Sequence, residues 1–463
     1  MLSNADPVKR YLRKIDKLAG QLLGADFGGP QGLWDFQEQL MAIQREIQQS
    51  ITAAKKSLRD SAQHAQLEDL RVARWNARRL GDAFAWIVLG NDIKTIVPLT
   101  ENHKVPITSD DHGSRGAIAI ASHLAGEGWG FPLLHDVTDC LRIGDVTFVR
   151  PGDVGREIQT VEVKTRLEQR VGGEDGTATE TLNVSVIYPL NPPMPSDEQG
   201  SVKSFAPTPT PENKAREARV DRQLARMTKA EAKRNAPEGL SVDADGQGSI
   251  STTIEGSTES HWPTLRRLIR RARTRGHATE TVENTFLYEV FYSPDGFSAE
   301  MLEKFDIADD VIQSGIFIED RKDLNSLIIS QIPGREGRGA YRCLPYFLYP
   351  IPKTAISDLL HGRLTIIVIV NPGRIVEALE RGGFSVSSPP NKNIMEGDEL
   401  VLTVREKDPQ DIAYIIELHG LGYYFEELVH EFKSVDHLLL MANGMRAAAV
   451  SNLGKATELE SGV

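Results

Sequence analysis

The sequence predicts a mixed α/β chain, α+β overall, divided among several domains. Apolar residues recur three and four apart through residues 33–89, the period of a buried helix face. Short β-branched and aromatic runs follow, each bounded by Gly, Pro or Asp as strands are. At 463 residues, with 40% apolar and 25% charged content, the chain has ordinary globular composition and room for roughly two or three cores.

Residues 1–66 are expected to form a helical segment. Leu33, Phe36, Leu40, Ile43 and Ile47 make the a/d seam of a short coiled coil, and Ile51, Ala54 and Leu58 continue it with a slip in phase. Such a stripe either packs within the chain or joins a second copy as a homo-oligomer. A second helix is predicted over Leu67–Leu89, with Arg71, Arg74, Arg78 and Arg79 on one side and Leu80, Phe84, Ile87 and Val88 supplying core. A third, small and apolar, covers Ser114–Gly126, with Asp110, Asp111 or Ser114 able to cap it. Gly128 and Gly130 break the pattern before a strand at Phe131–Leu134, followed by His135 and Asp136. A histidine placed there either ligates a metal or, more commonly, makes a hydrogen bond.

Residues 144–166 carry the densest chemistry. Strand-like runs at Val146–Val149 and Ile158–Thr165 flank a turn rich in Pro151, Gly152, Asp153 and Gly155. Side chains alternate along a strand, so Glu162 and Lys164 share one face while Val161, Val163 and Thr165 take the other. If the runs pair as a hairpin, Asp145 comes beside Glu162. Phosphodiester hydrolysis asks for that set. Carboxylates hold Mg²⁺, a hard ion that keeps several waters. The ion acidifies a bound water and offsets charge on the phosphate. A lysine stabilises the transition state as a point charge. The competing reading is a solvated strand face carrying an ion pair.

Asp145, sixteen intervening residues and then Glu162-Val163-Lys164 resemble the D…(D/E)-x-K signature of the PD-(D/E)XK nuclease superfamily, over residues 74–166. The resemblance implies a restriction-endonuclease-like mixed-sheet core within residues 67–235. Asp145 and Glu162 would hold Mg²⁺, with Mn²⁺ as substitute, and Lys164 would be catalytic. An acid on the helix before the sheet is common in the family, which nominates Asp82. Gly144 stands where many members have proline. Some relatives carry a Q-x-x-R on a helix after the E-x-K strand; Gln223 and Arg226 match it after an unusually long gap, as nucleic-acid-contacting residues.

Beyond this core, residues 189–211 are a proline-rich insertion, and a charged helix returns over Glu212–Asn235. Residues 236–278 read as a Gly/Ser/Thr-rich flexible linker followed by an arginine-rich helix. There Arg266, Arg267, Arg270 and Arg271 form a ridge opposite Leu265, Leu268, Ile269 and Ala272, the best expected grip on a phosphate backbone. Residues 279–463 form a separate C-terminal α+β domain. Strands are expected at Thr285–Phe291, Ser326–Ile332, Tyr346–Ile351, Leu364–Val370 and Glu399–Val404. Helices are expected at Gly373–Arg381, Pro409–His419 and Phe425–Ala449.

A net charge of −12 argues against indiscriminate coating of nucleic acid, though a local basic patch suffices for grip. No apolar run is long enough to span a bilayer and none follows the basic residues of the N-terminus, so the expectation is a cytoplasmic protein with no membrane partner. Two cysteines, Cys140 and Cys343, allow at most one disulfide. The leading expectation is a metal-dependent nuclease, DNA ahead of RNA, acting in prokaryotic defence. The alternative is a non-catalytic nucleic-acid-binding or regulatory scaffold protein on the same fold.

Overall fold

Tyr11, Ile15, Leu18, Ala19 and Leu22 fall on one side of a helix at Pro7–Gly24 (α1) and are all buried, as are Leu40, Ile43, Ile47 and Ile51 on Pro30–Ser57 (α2). The computed structural model describes residues 7–24, 27–57, 61–100, 112–152, 155–172, 178–187, 211–235, 239–242, 248–251, 258–296, 311, 313–316, 327–333, 343–387, 401–407, 413–418 and 422–460. They divide into two compact units, Met1–Asn235 and Ala236–Val463. Among the described residues no helix is long and apolar enough to cross a membrane, and Cys140 and Cys343 are buried free thiols.

In the first unit, α1 and α2 pack on the long helix α3 (Ser61–Val88). Two buried glutamines of α2 tie it to what lies beneath. Gln37 Nε2 donates to Pro132 O (3.1 Å) while its Oε1 accepts from Leu134 N (2.8 Å). Gln44 Nε2 reaches Ala77 O (3.2 Å) and Val137 O (2.9 Å). Buried amides must be satisfied, and these are satisfied by the chain's own backbone. Residues 7–24 and 30–57 are helical as expected, and Phe36, Leu40, Ile43, Ile47 and Ile51 of the stripe are buried within the unit, the first of the two uses expected for it.

Ile93–Thr100 (α4) and His112–Gly126 (α5) precede a four-stranded sheet in the order β1 (Phe131–Leu134), β2 (Val146–Gly152), β3 (Gly155–Gly172), β4 (Ala178–Ile187). Every neighbouring pair is antiparallel. α5 lies against β3, and Gly116 makes the approach possible: a Cβ there would stand 1.8 Å from Thr165 Oγ1. The unit ends with α6 (Pro211–Asn235), and the proline-rich insertion lies outside the described residues except for Pro211, which opens that helix.

The second unit begins where composition predicted only a loose linker. A short hairpin, β5 (Gly239–Val242) with β6 (Gly248–Ser251), forms there. Helix α7 (Trp262–Arg275) buries Leu265, Leu268, Ile269 and Ala272 against β7 (His277–Val282) and β8 (Phe286–Tyr292). These strands continue into a sheet of order β7-β8-β10-β9, with β9 at Ile328–Ile332 and β10 at Leu364–Val370. β10 is buried along its whole length, as its unbroken apolar run requires. Lys353–Leu360 (α8) leads into β10 and Pro372–Arg381 (α9) leaves it. The Asn371 side chain caps α9 by accepting from Gly373 N (2.9 Å).

Some expectations in this unit fail. Tyr346–Ile351 is not a strand but a 3-10 turn at Tyr346–Leu348, because Pro345, Pro350 and Pro352 deny it ladder donors. Part of the helix expected over 409–419 is a strand, β13 (Ala413–Leu418), in the sheet β11 (Ser385–Ser387)-β12 (Val401–Lys407)-β13. Alternation decides it: Ile415 and Glu417 are exposed while Leu418 is buried. The last long helix is two, α10 (Gly422–His430) and α11 (Val435–Glu460), parted where buried Phe432 takes φ +54°.

Candidate active site

β2 and β3 pair from Gly152↔Gly155 back to Val146↔Val161. One step further sets Asp145 opposite Glu162. Asp145 N donates to Val161 O (2.8 Å), and its Oδ2 accepts from Val163 N (2.7 Å), which fixes the carboxylate against the strand that bears Glu162. Lys164, two residues along the same face, donates from Nζ to Glu162 Oε1. Gln223 on α6 donates from Nε2 to Glu162 Oε2 (3.0 Å). Each Glu162 oxygen thus has one protein donor and spare acceptor capacity. Asp145 Oδ1 has no partner among the described residues.

The electrostatics are unbalanced. Burial pushes the Asp145 carboxyl up to about 7, Glu162 and Asp136 add to the rise, and Val163 N–H and Lys164 oppose it. Glu162 is buried, while Asp145 and Lys164 are part-exposed, so the pair opens to solvent on one side. A carboxyl whose proton is held more tightly by burial and by a like charge can exchange that proton for a cation.

Beneath the pair, buried His135 bonds Gly144 O through Nδ1 (3.1 Å) and Thr147 Oγ1 through Nε2 (2.7 Å). Burial lowers its pKa to about 4, so it stays neutral. With both nitrogens occupied it acts as a brace, not a ligand. Gly144 has φ +80°, and a Cβ there would meet Thr160 Cγ2 at 2.6 Å. Proline, fixed near φ −65°, cannot take this conformation, which accounts for glycine before the aspartate.

Asp82, expected near the metal, stands elsewhere. It is fully buried on α3, where its Oδ1 accepts from Asp139 N (2.6 Å) and Cys140 N (2.8 Å) and its Oδ2 from Arg79 (3.0 Å). The charges bearing on it are Arg79 and Asp139, whereas those bearing on Asp145 are Glu162, Lys164 and Asp136. Asp82 clamps the 139–140 backbone to α3. Gln223, expected to touch nucleic acid, has its amide on Glu162 instead, and Arg226 is exposed on α6. Asp136, which no motif singled out, is among the charges that raise Asp145.

In the second unit, Arg266, Arg267, Arg270 and Arg271 are exposed along α7. Arg267 and Arg271 share Glu280, and Arg273 pairs with Asp358. Arg266 and Arg270 have no ion pair among the described residues.

No protein-family model, curated protein or solved structure matches the chain. Among the described residues, no three His, Cys, Asp or Glu side chains form a group able to hold a metal ion. A cation here would therefore rest on Asp145 and Glu162 and take its remaining ligands from water and substrate. That demand suits Mg²⁺, which binds through one or two carboxylates and keeps its waters.

Proposed function

We propose that the chain is a metal-dependent phosphodiester hydrolase, a nuclease whose site is Asp145, Glu162 and Lys164. The observation that carries this reading is Asp145 one step beyond the Val146↔Val161 pair, its carboxylate bonded to Val163 N on the strand that bears Glu162, with Glu162 and Lys164 both acting on its charge. Asp145 and Glu162 would hold Mg²⁺, or Mn²⁺ in its place, which when bound supplies Lewis acidity at a phosphoryl oxygen and a more acidic water. Lys164 places its ammonium where charge develops on the scissile group. Gln223 keeps Glu162 in one orientation. DNA is preferred to RNA as substrate, with defence against foreign DNA as the setting; both follow from the superfamily resemblance.

A specific observation favours a second reading. Both Glu162 oxygens already have protein donors, as in an ion-paired strand of a non-catalytic scaffold. Cleavage of plasmid DNA and of RNA with Mg²⁺ separates the two. Asp145→Asn and Glu162→Gln should each cut turnover by about 10²-fold or more while the protein stays folded. Wild-type rates in either variant would leave the scaffold reading standing.

A further inference from the structure

Asp145 follows a glycine in the left-handed region, so its side chain is only as fixed as the peptide that joins the two. We propose that His135 is a positioning residue of this site: its ring holds the Gly144 carbonyl and thereby keeps the Asp145 carboxylate turned toward the strand that bears Glu162. The proposal rests on the nuclease reading above and deepens it, by naming what keeps a metal-holding acid in place.

The main chain places His135 first. β1 pairs with β2 up to Leu134↔Val146, and His135 N then donates to Asp145 O (2.9 Å). Asp145 N donates to Val161 O (2.8 Å), so Asp145 is held by the turn after β1 on one side and by β3 on the other. The carbonyl before it, Gly144 O, accepts from His135 Nδ1 (3.1 Å). A carbonyl has no proton to give, so Nδ1 carries one. The buried ring is neutral, which makes Nε2 the acceptor and Thr147 Oγ1 its donor (2.7 Å). Thr147 has then given its proton, and in its bond with Thr160 Oγ1 (2.9 Å) it accepts. Thr147 and Thr160 are register partners in the β2–β3 pair. One direction therefore runs from Thr160 on β3, through Thr147 on β2 and His135, to the peptide that carries Asp145.

Gly144 needs this hold. Without a Cβ its backbone passes between regions at little cost. A turn of the 144–145 peptide would swing the Asp145 carboxylate away from Val163 N, which it meets at 2.7 Å. A metal site whose acids are held loosely binds more weakly, because binding must then also order them.

Two substitutions take the ring apart. An asparagine amide sits where Nδ1 does and a glutamine amide where Nε2 does, so His135→Asn keeps the bond to Gly144 O and His135→Gln keeps the one to Thr147. Each loses one of two buried hydrogen bonds, so their metal-free melting temperatures should fall by similar amounts. Mg²⁺ affinity, from calorimetric titration of the metal-free full chain, should not fall alike. His135→Gln should weaken it about tenfold or more, the scale of losing an outer-shell partner, and His135→Asn should recover most of that loss. Equal affinities in the two variants, or affinities that merely follow melting temperature, would make His135 structural only and overturn the proposal. One measurement needs no variant to fold: ¹⁵N spectra of the metal-free wild type should show His135 protonated at Nδ1 and bare at Nε2, and the opposite tautomer overturns the proposal. If Asp145→Asn abolishes Mg²⁺ binding while His135→Gln binds as wild type does, the role of His135 fails and the nuclease reading stands. A wild-type chain that binds no divalent cation overturns both.

Discussion

Asp82 and Asp139 are neighbouring buried carboxylates in the first unit; part-exposed Asp145 and buried Glu162 are a second neighbouring pair there. Arg79 matches Asp82 and Arg78 matches Asp139, and two backbone N–H groups donate to the other oxygen of Asp82. The second pair has Lys164 alone, and the Asp136 charge adds to the imbalance. The difference separates two uses of the same chemistry. Where charge is balanced and acceptors are filled, carboxylates hold a loop to a helix. Where charge is left over at an open edge, they are available to a cation.

The largest effect should come from breaking the balanced pair. Asp82→Ala removes the buried ion pair with Arg79 and the acceptor of two backbone N–H groups. The expected cost is on the order of 3–5 kcal/mol of stability, read from urea unfolding. Asp145→Asn removes repulsion between like charges, so it should leave stability unchanged or raised. Equal stabilities for Asp82→Ala and wild type would erase the distinction. Any loss of cleavage in Asp82→Ala should track loss of folded protein.

Lys164 tests the unbalanced pair from the other side. Lys164→Met should lower turnover by about 10²-fold, the scale of removing one transition-state stabiliser. Mg²⁺ binding should persist or tighten, because a cation's positive neighbour is gone. A variant that cuts at the wild-type rate would reduce Glu162-Val163-Lys164 to an ion-paired strand.

A pH titration sharpens the comparison further. Asp145 is raised from 3.8 to about 7, so across that window the folded chain keeps a proton the unfolded chain has released. Stability therefore falls as pH rises through the window and levels above it. Mg²⁺ takes the deprotonated form, so its affinity should climb over the same range. Glu431 in the second unit is also raised to about 7 by burial and by Glu427, with the same sign. Comparing metal-free wild type with Asp145→Asn cancels the Glu431 contribution. Identical melting curves from about pH 4 to 8 would remove Asp145 as the titrating group.

The Asp145–Glu162 adjacency was legible because it is local. A short turn between antiparallel runs fixes which residues face each other, and strand alternation puts Lys164 beside Glu162. The clamp of Asp82 on Asp139 and Cys140, 57 and 58 residues away, is set by how α3 crosses the turn after β1, and no local period encodes that. Gln223 reaches Glu162 across 61 residues, and only its place in a short motif hinted at it. The failed elements have local causes. Aromatic residues around Tyr346 favour a strand until their flanking prolines are weighed, and the apolar residues of 413–418 fit either period until β12 supplies a partner.

The smallest expected effect carries the same rule to the arginines of α7. Arg267 and Arg271 share Glu280, so part of their charge is answered within the fold. Arg266 and Arg270 are exposed and have no ion pair among the described residues. If unbalanced charge marks a binding surface, Arg270→Ala should weaken nucleic-acid binding by a few-fold and lower the salt slope by about 0.9, as one lost phosphate contact does. Arg267→Ala should do less, because its guanidinium is already engaged by Glu280; its cost to stability should stay within about 1 kcal/mol, as for an exposed pair. Binding measured across a salt series separates the two variants where a single affinity would not. If both shift the slope equally, local pairing does not decide which arginines meet phosphate. If neither does, the ridge faces something other than nucleic acid, and the rule holds only for the carboxylates of the first unit.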